Sequence, residues 1–237
     1  MNFRQLITLF IALYYAPLAV SQETGEYVLD ATPASVLGIN AGQYSQFIDQ
    51  DEILSWEIYV PENYNPSIPA GVMVYAGSPN NVQPPAGWLS VMKDKNLIWV
   101  ASRNSKNGSS IFQKQLMAMM SVPLIEKDYN IDRSRIYITG EGRTASRTAL
   151  EFPEMFKGAI FMGSRLWEDN ADEKIKNALN NKYVFVTREK TAFPRGTRFA
   201  YYKFKSAGVN NLKLYFIQGT RRYNRPSLVE SIDFLDG

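Results

Sequence analysis

Residues 135–164 of this chain read RIYITGEGRTASRTALEFPEMFKGAIFMGS, and this stretch decides the fold. The run Arg135–Thr139 is typical of a buried strand, and Gly140–Thr144 (GEGRT) is too rich in glycine and polar residues to continue it. Arg143–Phe152 predicts a helix that ends before a proline, because the residue preceding a proline avoids helical geometry. Gly158–Met162 is a second apolar run. The stretch therefore predicts strand, sharp turn, helix and strand in succession.

The same alternation of strands and helices extends to both sides of this stretch. Further strands are predicted at Glu52–Val60, Gly71–Tyr75, Asn96–Ala101, Tyr183–Thr187 and Leu212–Ile217. Further helices are predicted at Ile111–Tyr129, Asn170–Asn180, Thr197–Ala207 and Pro226–Leu235, the first of them kinked or divided by Pro123. Residues 22–50 are less regular and are expected to form an edge strand or a loose arm. The pattern predicts an α/β fold, with one doubly wound, mostly parallel sheet and helices on both faces, in a single domain from residue 22 to 237.

The composition excludes several kinds of chemistry. The 237 residues include no Cys and no His, and the formal net charge is +3. Without these side chains the chain has no disulfide, no thiolate nucleophile, no zinc site of the usual kind and no imidazole base. The sequence indicates no metal and no cofactor, and the small charge gives nucleic-acid binding no support.

The first 21 residues have the pattern of a secretory signal peptide. Arg4 gives a positive start, Leu6–Tyr15 is an apolar run too short to span a membrane, and Ala19-Val20-Ser21 supplies small residues for cleavage. We expect cleavage after Ser21 and a secreted or periplasmic protein with no stable membrane span.

The motif at residues 140–144 lies where a nucleophile elbow, G-x-S-x-G, joins a strand to a helix. The stretch from residue 135 to 164 resembles the elbow region of secreted esterases related to polyhydroxybutyrate depolymerases, a branch of the α/β-hydrolase superfamily. The PPAGW and NLIWVASRNS segments and the closing FLDG also look related. The resemblance implies an α/β-hydrolase fold.

The catalytic side chains of that family do not carry over. The nucleophile position falls on Gly142, the acid position on Ala192, and the histidine position on Arg222 or Tyr223. Removing even one triad member costs about four orders of magnitude in rate. The resemblance therefore implies a degenerate triad, a pseudoenzyme and no catalytic residues of the family's kind.

Backbone amides and arginines remain candidates for binding an anion. The resemblance places oxyanion-hole amides at Arg143 and in the loop Ser78–Asn81, and an amide nest at a helix N-terminus binds anions. Arginines follow several predicted strands at the end of the sheet where the pocket is expected. Trp88 and Trp167 lie in predicted loops and are candidates to line a cleft for a carbohydrate or an apolar ligand. The candidate binding residues are Ser78, Asn80, Arg143, Arg165, Arg188, Arg221, Arg222, Trp88 and Trp167.

Three functions stay open at this point. The first is a non-catalytic binding or accessory protein that uses the esterase pocket for an anionic small molecule or a glycan. The second is an esterase-like hydrolase with a relocated nucleophile, in which Ser78, Ser146 or Ser164 pairs with a lysine such as Lys190. The third is a structural subunit that binds a protein partner.

Overall fold

The structure, a computed structural model, describes residues 22–77, 82–85, 87–105, 108–163, 171–188, 194–217 and 225–237. Within these residues the central feature is one sheet of eight strands. The strands are β1 (Gly25–Ala31), β2 (Leu54–Val60), β3 (Ala70–Tyr75), β4 (Leu97–Ser102), β5 (Ile131–Glu141), β6 (Gly158–Met162), β7 (Lys182–Arg188) and β8 (Leu212–Ile217).

In the described part of the chain, seven α-helices and one 3-10 helix connect or flank the strands. The helices are α1 (Pro33–Leu37), α2 (Trp88–Asp94), α3 (Ile111–Glu126), α4 (Arg143–Glu151), α5 (Ala171–Asn177), α6 (Pro194–Ser206) and α7 (Arg225–Asp236), with the 3-10 helix at Gly38–Tyr44. Side chains cap two of them: Thr32 caps α1 and Ser110 caps α3, each in a reciprocal capping box. None of the helices in the described part of the chain is both long and apolar enough to cross a membrane.

The strand order is β1-β2-β4-β3-β5-β6-β7-β8. Strands β4, β3, β5, β6, β7 and β8 run parallel, whereas β1 and β2 are antiparallel to their neighbours. The predicted α/β class, with a mostly parallel sheet, is confirmed. Because these strands run parallel, the carboxyl ends of β3, β5, β6 and β7 lie on the same side of the sheet.

Helices cover both faces of the sheet. One face packs against α3, α4, α5 and α6 around residues such as Ile138, Phe161 and Phe204. The other packs against α2 and α7 around Tyr137 and Ile160. The central strands are buried on both faces, which explains their continuous apolar runs.

Three elements differ from the sequence-based predictions. Pro123 neither ends nor divides α3, which runs through it to Glu126. Most of this helix is buried, and its packing outweighs the loss of one backbone hydrogen bond at the proline. β5 is 11 residues long rather than five, because residues 131–134 precede the predicted run and Gly140 and Glu141 continue it by pairing with β6, where the sequence predicted a turn. The third element is the helix α2, which was not predicted. The segment 22–50 takes the first of its two predicted forms, since it holds an edge strand, β1, followed by α1 and the 3-10 helix.

Candidate active site

The turn between β5 and α4 has the geometry of a strand-to-helix elbow. Gly142 precedes the first residue of α4 and adopts φ 74° and ψ −150°, a conformation that only glycine adopts without strain. No described atom lies within 4 Å of the position that a Cβ on Gly142 would occupy. The elbow therefore keeps both its strained backbone and the open space in which a nucleophile's side chain would stand.

Gly140 allows the close approach on which this turn depends. A Cβ on Gly140 would lie 2.3 Å from the carbonyl oxygen of Ala76, next to β3, and 3.2 Å from the Cβ of Ala145 in α4. The Ala76 amide donates to the Thr139 carbonyl at 2.8 Å, which holds the ends of β3 and β5 together. The first glycine of the motif is thus required by packing against backbone, and not by a positive φ.

The first two turns of α4 turn their hydroxyls inward. Ser146 is 3% exposed and its hydroxyl donates to the Arg143 carbonyl at 3.2 Å. Thr148 is fully buried and donates to the Thr144 carbonyl at 2.8 Å. Both hydroxyls satisfy their donors within the helix. Ser146 is therefore poorly placed to attack a substrate, and this removes it from the three candidate serines.

Arg143 lies at the N-terminus of α4, with its side chain exposed to solvent. Within the described residues it forms no ion pair. Its backbone amide is at the first position of the helix, where intrahelical hydrogen bonds are not available. A free guanidinium and a helix N-terminus together make this corner electropositive and suited to a carboxylate or to a developing oxyanion.

Trp88 does not line a cleft in this structure. It is the first residue of α2 and is 1% exposed, with its ring edge-to-face against Trp99 at a centroid distance of 5.6 Å. The expectation of a loop tryptophan overlooked α2, which begins directly after Gly87 at φ 86°. A short helix after a glycine turn buried this ring in the core.

The remaining predicted site residues are not brought together by the described structure. Arg188 ends β7, and its side chain lies outside the described residues. The other predicted positions also lie outside the described residues: Ser78, Asn80, Ser164, Arg165, Trp167, Lys190, Ala192, Arg221, Arg222 and Tyr223. Among the described residues, no group of three Asp or Glu side chains is placed to hold a metal ion.

The fold resembles that of solved hydrolases, whereas no protein-family model and no curated protein sequence matches the chain. One of two fungal esterases from Rhizomucor miehei superposes with a TM-score of 0.64 at 10% identity, covering 93% of this chain and 85% of that one. A ferulic acid esterase superposes with a TM-score of 0.61 at 13% identity, covering 90% and 99%. A protein assigned as a dipeptidyl aminopeptidase IV from Bacteroides ovatus gives 0.60 at 16% identity, covering 89% and 35%.

The chain has the α/β-hydrolase fold. It spans about a third of the length of the Bacteroides ovatus protein, and its sequence identity to all three structures is below the level that would carry an activity across. The predicted fold is confirmed, and the branch related to polyhydroxybutyrate depolymerases stays a prediction.

The prediction that the protein is not an enzyme is wrong. The structures that share the fold are described as esterases and an aminopeptidase. The missing side chains at Gly142 and Ala192 exclude one mechanism, the Ser–His–Asp triad. The loss of that one mechanism does not extend to all catalysis. Other nucleophile and base pairs perform the same acyl transfer.

Proposed function

We propose that this protein is an ester hydrolase whose active site lies at the carboxyl ends of its parallel strands and contains no histidine. The observation that supports this most directly is the elbow at Gly142, with its strained backbone, its open space and the helix N-terminus behind it. An elbow of this kind exposes a helix N-terminus to the bound substrate, where backbone amides stabilise the oxyanion of acyl transfer.

The nucleophile and the base have to come from residues other than the family's triad. Because the whole chain contains no histidine, a neutral lysine is the proposed base. A serine Oγ transfers its proton to the lysine Nζ and attacks the ester carbonyl carbon. The alcohol then leaves with that proton, and water hydrolyses the acyl-enzyme in a second step. The amide of Arg143 donates to the oxyanion.

Ser164 with Lys190 is the preferred pair, and Ser78 with Lys190 is the alternative. Ser164 follows the last residue of β6 by two positions, and Lys190 follows the last residue of β7 by two positions. β6 and β7 are neighbours in the sheet, whereas β3, which precedes Ser78, is three strands away from β7. Strand order therefore supports Ser164 over Ser78, and the burial of Ser146 argues against that third serine.

An acidic group on the substrate is part of the proposal. Arg143 is exposed beside the elbow and forms no ion pair within the described residues. A guanidinium in this position favours an ester that carries a carboxylate or phosphate near the scissile bond. The anionic ligand predicted from the sequence thus becomes the proposed substrate, and a glycan ester that carries such a group also fits.

The test is hydrolysis of p-nitrophenyl acetate and of an acidic analogue, p-nitrophenyl succinate, by the purified protein. We expect turnover that rises with pH as the lysine loses its proton, with no inflection near pH 6.5, where a histidine would titrate. Ser164→Ala and Lys190→Met are expected to lose at least about 100-fold in kcat/KM. Arg143→Met is expected to lower kcat/KM for the succinate ester more than kcat/KM for the acetate ester.

The matched control is Ser206→Ala, which removes an exposed serine at the opposite end of α6 and should leave the rate unchanged. Labelling with a fluorophosphonate, followed by peptide mapping, identifies the reactive serine directly. The absence of turnover and of labelling in the wild type would refute the proposal. Labelling of Ser78 with full activity in Ser164→Ala would reassign the nucleophile.

Export is the remaining part of the proposal. We propose that residues 1–21 direct the chain to a secreted or periplasmic location and are removed after Ser21. The exported protein should then begin with Gln22, which intact-mass measurement and N-terminal sequencing will check. An N-terminus at Met1 in the exported fraction contradicts this cleavage.

A further inference from the structure

The two open edges of the sheet carry opposite charge, and we infer that they bind one another in successive copies of this chain. β1 forms one edge and β8 the other, seven strands apart in the order of the sheet. Within the described residues, β1 pairs only with β2 and β8 only with β7. Each outer strand therefore presents a row of backbone donors and acceptors to the outside, as edge strands do.

The β1 edge is acidic. Residues 5–92 contain no Lys or Arg, but they hold eight acidic residues. Two of these eight are neutralised by later parts of the chain: Glu57 lies 3.6 Å from Arg103, and Glu62 lies 3.3 Å from Lys93. The other six form no ion pair within the described residues, and all six are exposed: Glu23, Glu26, Asp30, Asp49, Asp51 and Glu52. We call β1 with these six carboxylates the acidic edge.

The β8 edge is basic. The helix α6 and the strand β8, from residue 194 to 217, hold five Lys and Arg and no Asp or Glu. Arg198 lies over the Phe216 ring at 4.8 Å, and Lys205 is exposed at the end of the helix. The helix α7, on the other face of the sheet, contributes Glu230, whose carboxylate acts on the Tyr215 phenol. We call α6 with β8 the basic edge.

Both edges also expose apolar side chains. On the basic edge, Phe199 is 62% exposed, Tyr202 58% and Phe216 42%. On the acidic edge, Val28 is 45% exposed in the middle of β1, and Ile53 is 69% exposed directly before β2. Large exposed apolar groups surrounded by charges of one sign are typical of an interaction surface.

The positions of the two edges determine the kind of assembly. A two-fold dimer would bring like edges together, and their equal charges would repel. When the acidic edge of one copy lies against the basic edge of the next, the charges of both edges are paired. Because the two edges lie at opposite ends of the sheet, each copy at the end of such a row leaves one edge free. The expected association is head-to-tail and concentration-dependent. The chain itself supplies the complementary charge, which favours a second copy over any other anionic partner.

The experiment is sedimentation velocity on the full exported chain over a hundredfold range of concentration. We expect the weight-average sedimentation coefficient to rise with concentration at 20 mM salt and to stay at the monomer value at 500 mM, because salt screens exposed charges. Two charge-reversed variants test the edges: Glu26→Lys with Glu52→Lys, and Arg198→Glu with Lys205→Glu. Each variant alone should remain monomeric.

Mixing the two variants decides the proposal, because each supplies the charge that the other has lost. An equimolar mixture should recover the concentration dependence of the wild type. The control Lys114→Glu with Lys176→Glu changes the net charge equally on other elements, and it should associate like the wild type. A wild type that stays monomeric at low salt, or a mixture that does not recover, overturns the inference. Binding of the monomer to phosphatidylglycerol vesicles, lost in Arg198→Glu with Lys205→Glu, would instead assign the basic edge to lipid.

Discussion

Gly142 and Gly140 have different physical roles in the elbow, and replacing each by alanine distinguishes those roles by the stability that is lost. At Gly142 a Cβ meets open space, so Gly142→Ala costs only the strain of its backbone conformation, about 1–3 kcal/mol. At Gly140 the Cβ would lie 2.3 Å from the carbonyl of Ala76, and a backbone atom cannot move aside as a side chain can. We expect Gly140→Ala to cost on the order of 3 kcal/mol or more. Urea unfolding measures both, and equal destabilisation by the two would contradict these roles.

The same glycines show how far single residues are predictable from the sequence. The motif around Gly142 located the elbow correctly, because a glycine-rich turn between a strand and a helix leaves few other geometries. The environment of Trp88 was not predictable, since the short helix α2 follows a proline-rich stretch that reads as a loop. Side-chain burial depends on partners distant in sequence, such as Trp99, and no local pattern records them.

At the scale of elements, α7 is fastened to the start of β5 by one polar cluster. Arg135 donates to both carboxylate oxygens of Asp236 at 2.8 Å, and the Tyr137 hydroxyl lies 2.8 Å from the same carboxylate. Asp236→Asn leaves the largely buried guanidinium without its counter-charge, so we expect a loss of about 1–3 kcal/mol in the free energy of unfolding. Chemical denaturation with urea measures this loss.

The matched control is Glu126→Gln, which breaks the ion pair with Arg133. The Arg133 side chain is 78% exposed, so water replaces the lost interaction and the cost should stay below about 1 kcal/mol. Similar losses in the two variants would show that the Asp236 cluster does not anchor α7.

Element prediction was most exact where an apolar run stands between turn residues, and less exact where buried and exposed residues alternate. The strands β6 and β8 both have the predicted bounds, although β6 is buried along its whole length and the edge strand β8 is only partly buried. β1 is exposed at every second residue, and its weaker pattern was compatible with an edge strand or a loose arm. The helix α3 is not divided at Pro123, since tertiary packing outweighed a local rule.

At the scale of the whole molecule, the charge of +3 conceals a strong separation. The chain from Lys93 onward holds 25 Lys and Arg against 15 Asp and Glu, and the acidic residues 5–92 nearly cancel that excess. The net charge of the whole chain hides this asymmetry, which appears when the charges of its parts are summed separately. Only the strand order shows that the acidic edge and the basic edge lie at opposite ends of the sheet.

Buried tyrosines distributed over the sheet make stability depend on alkaline pH. Burial raises the pKa of Tyr59 to about 12, and burial also raises the pKa of Tyr27, Tyr137 and Tyr183 above the ordinary value. In the unfolded chain these phenols ionise near pH 10. Their stabilising contribution is therefore complete below pH 10 and is lost as the pH rises toward the folded-state values. We expect the free energy of unfolding to fall above pH 10 by about 1.4 kcal/mol per pH unit for each such tyrosine.

Urea unfolding followed by circular dichroism at intervals from pH 8 to pH 12 measures this slope, and two variants apportion it. Tyr59→Phe removes a phenol that is 2% exposed, so the decline between pH 10 and 12 should become shallower. Tyr202→Phe removes a phenol that is 58% exposed and serves as the matched control, and its decline should match that of the wild type. If the Tyr59 variant declined as steeply as the wild type and the Tyr202 variant, desolvation of the Tyr59 phenol would not be coupled to folding.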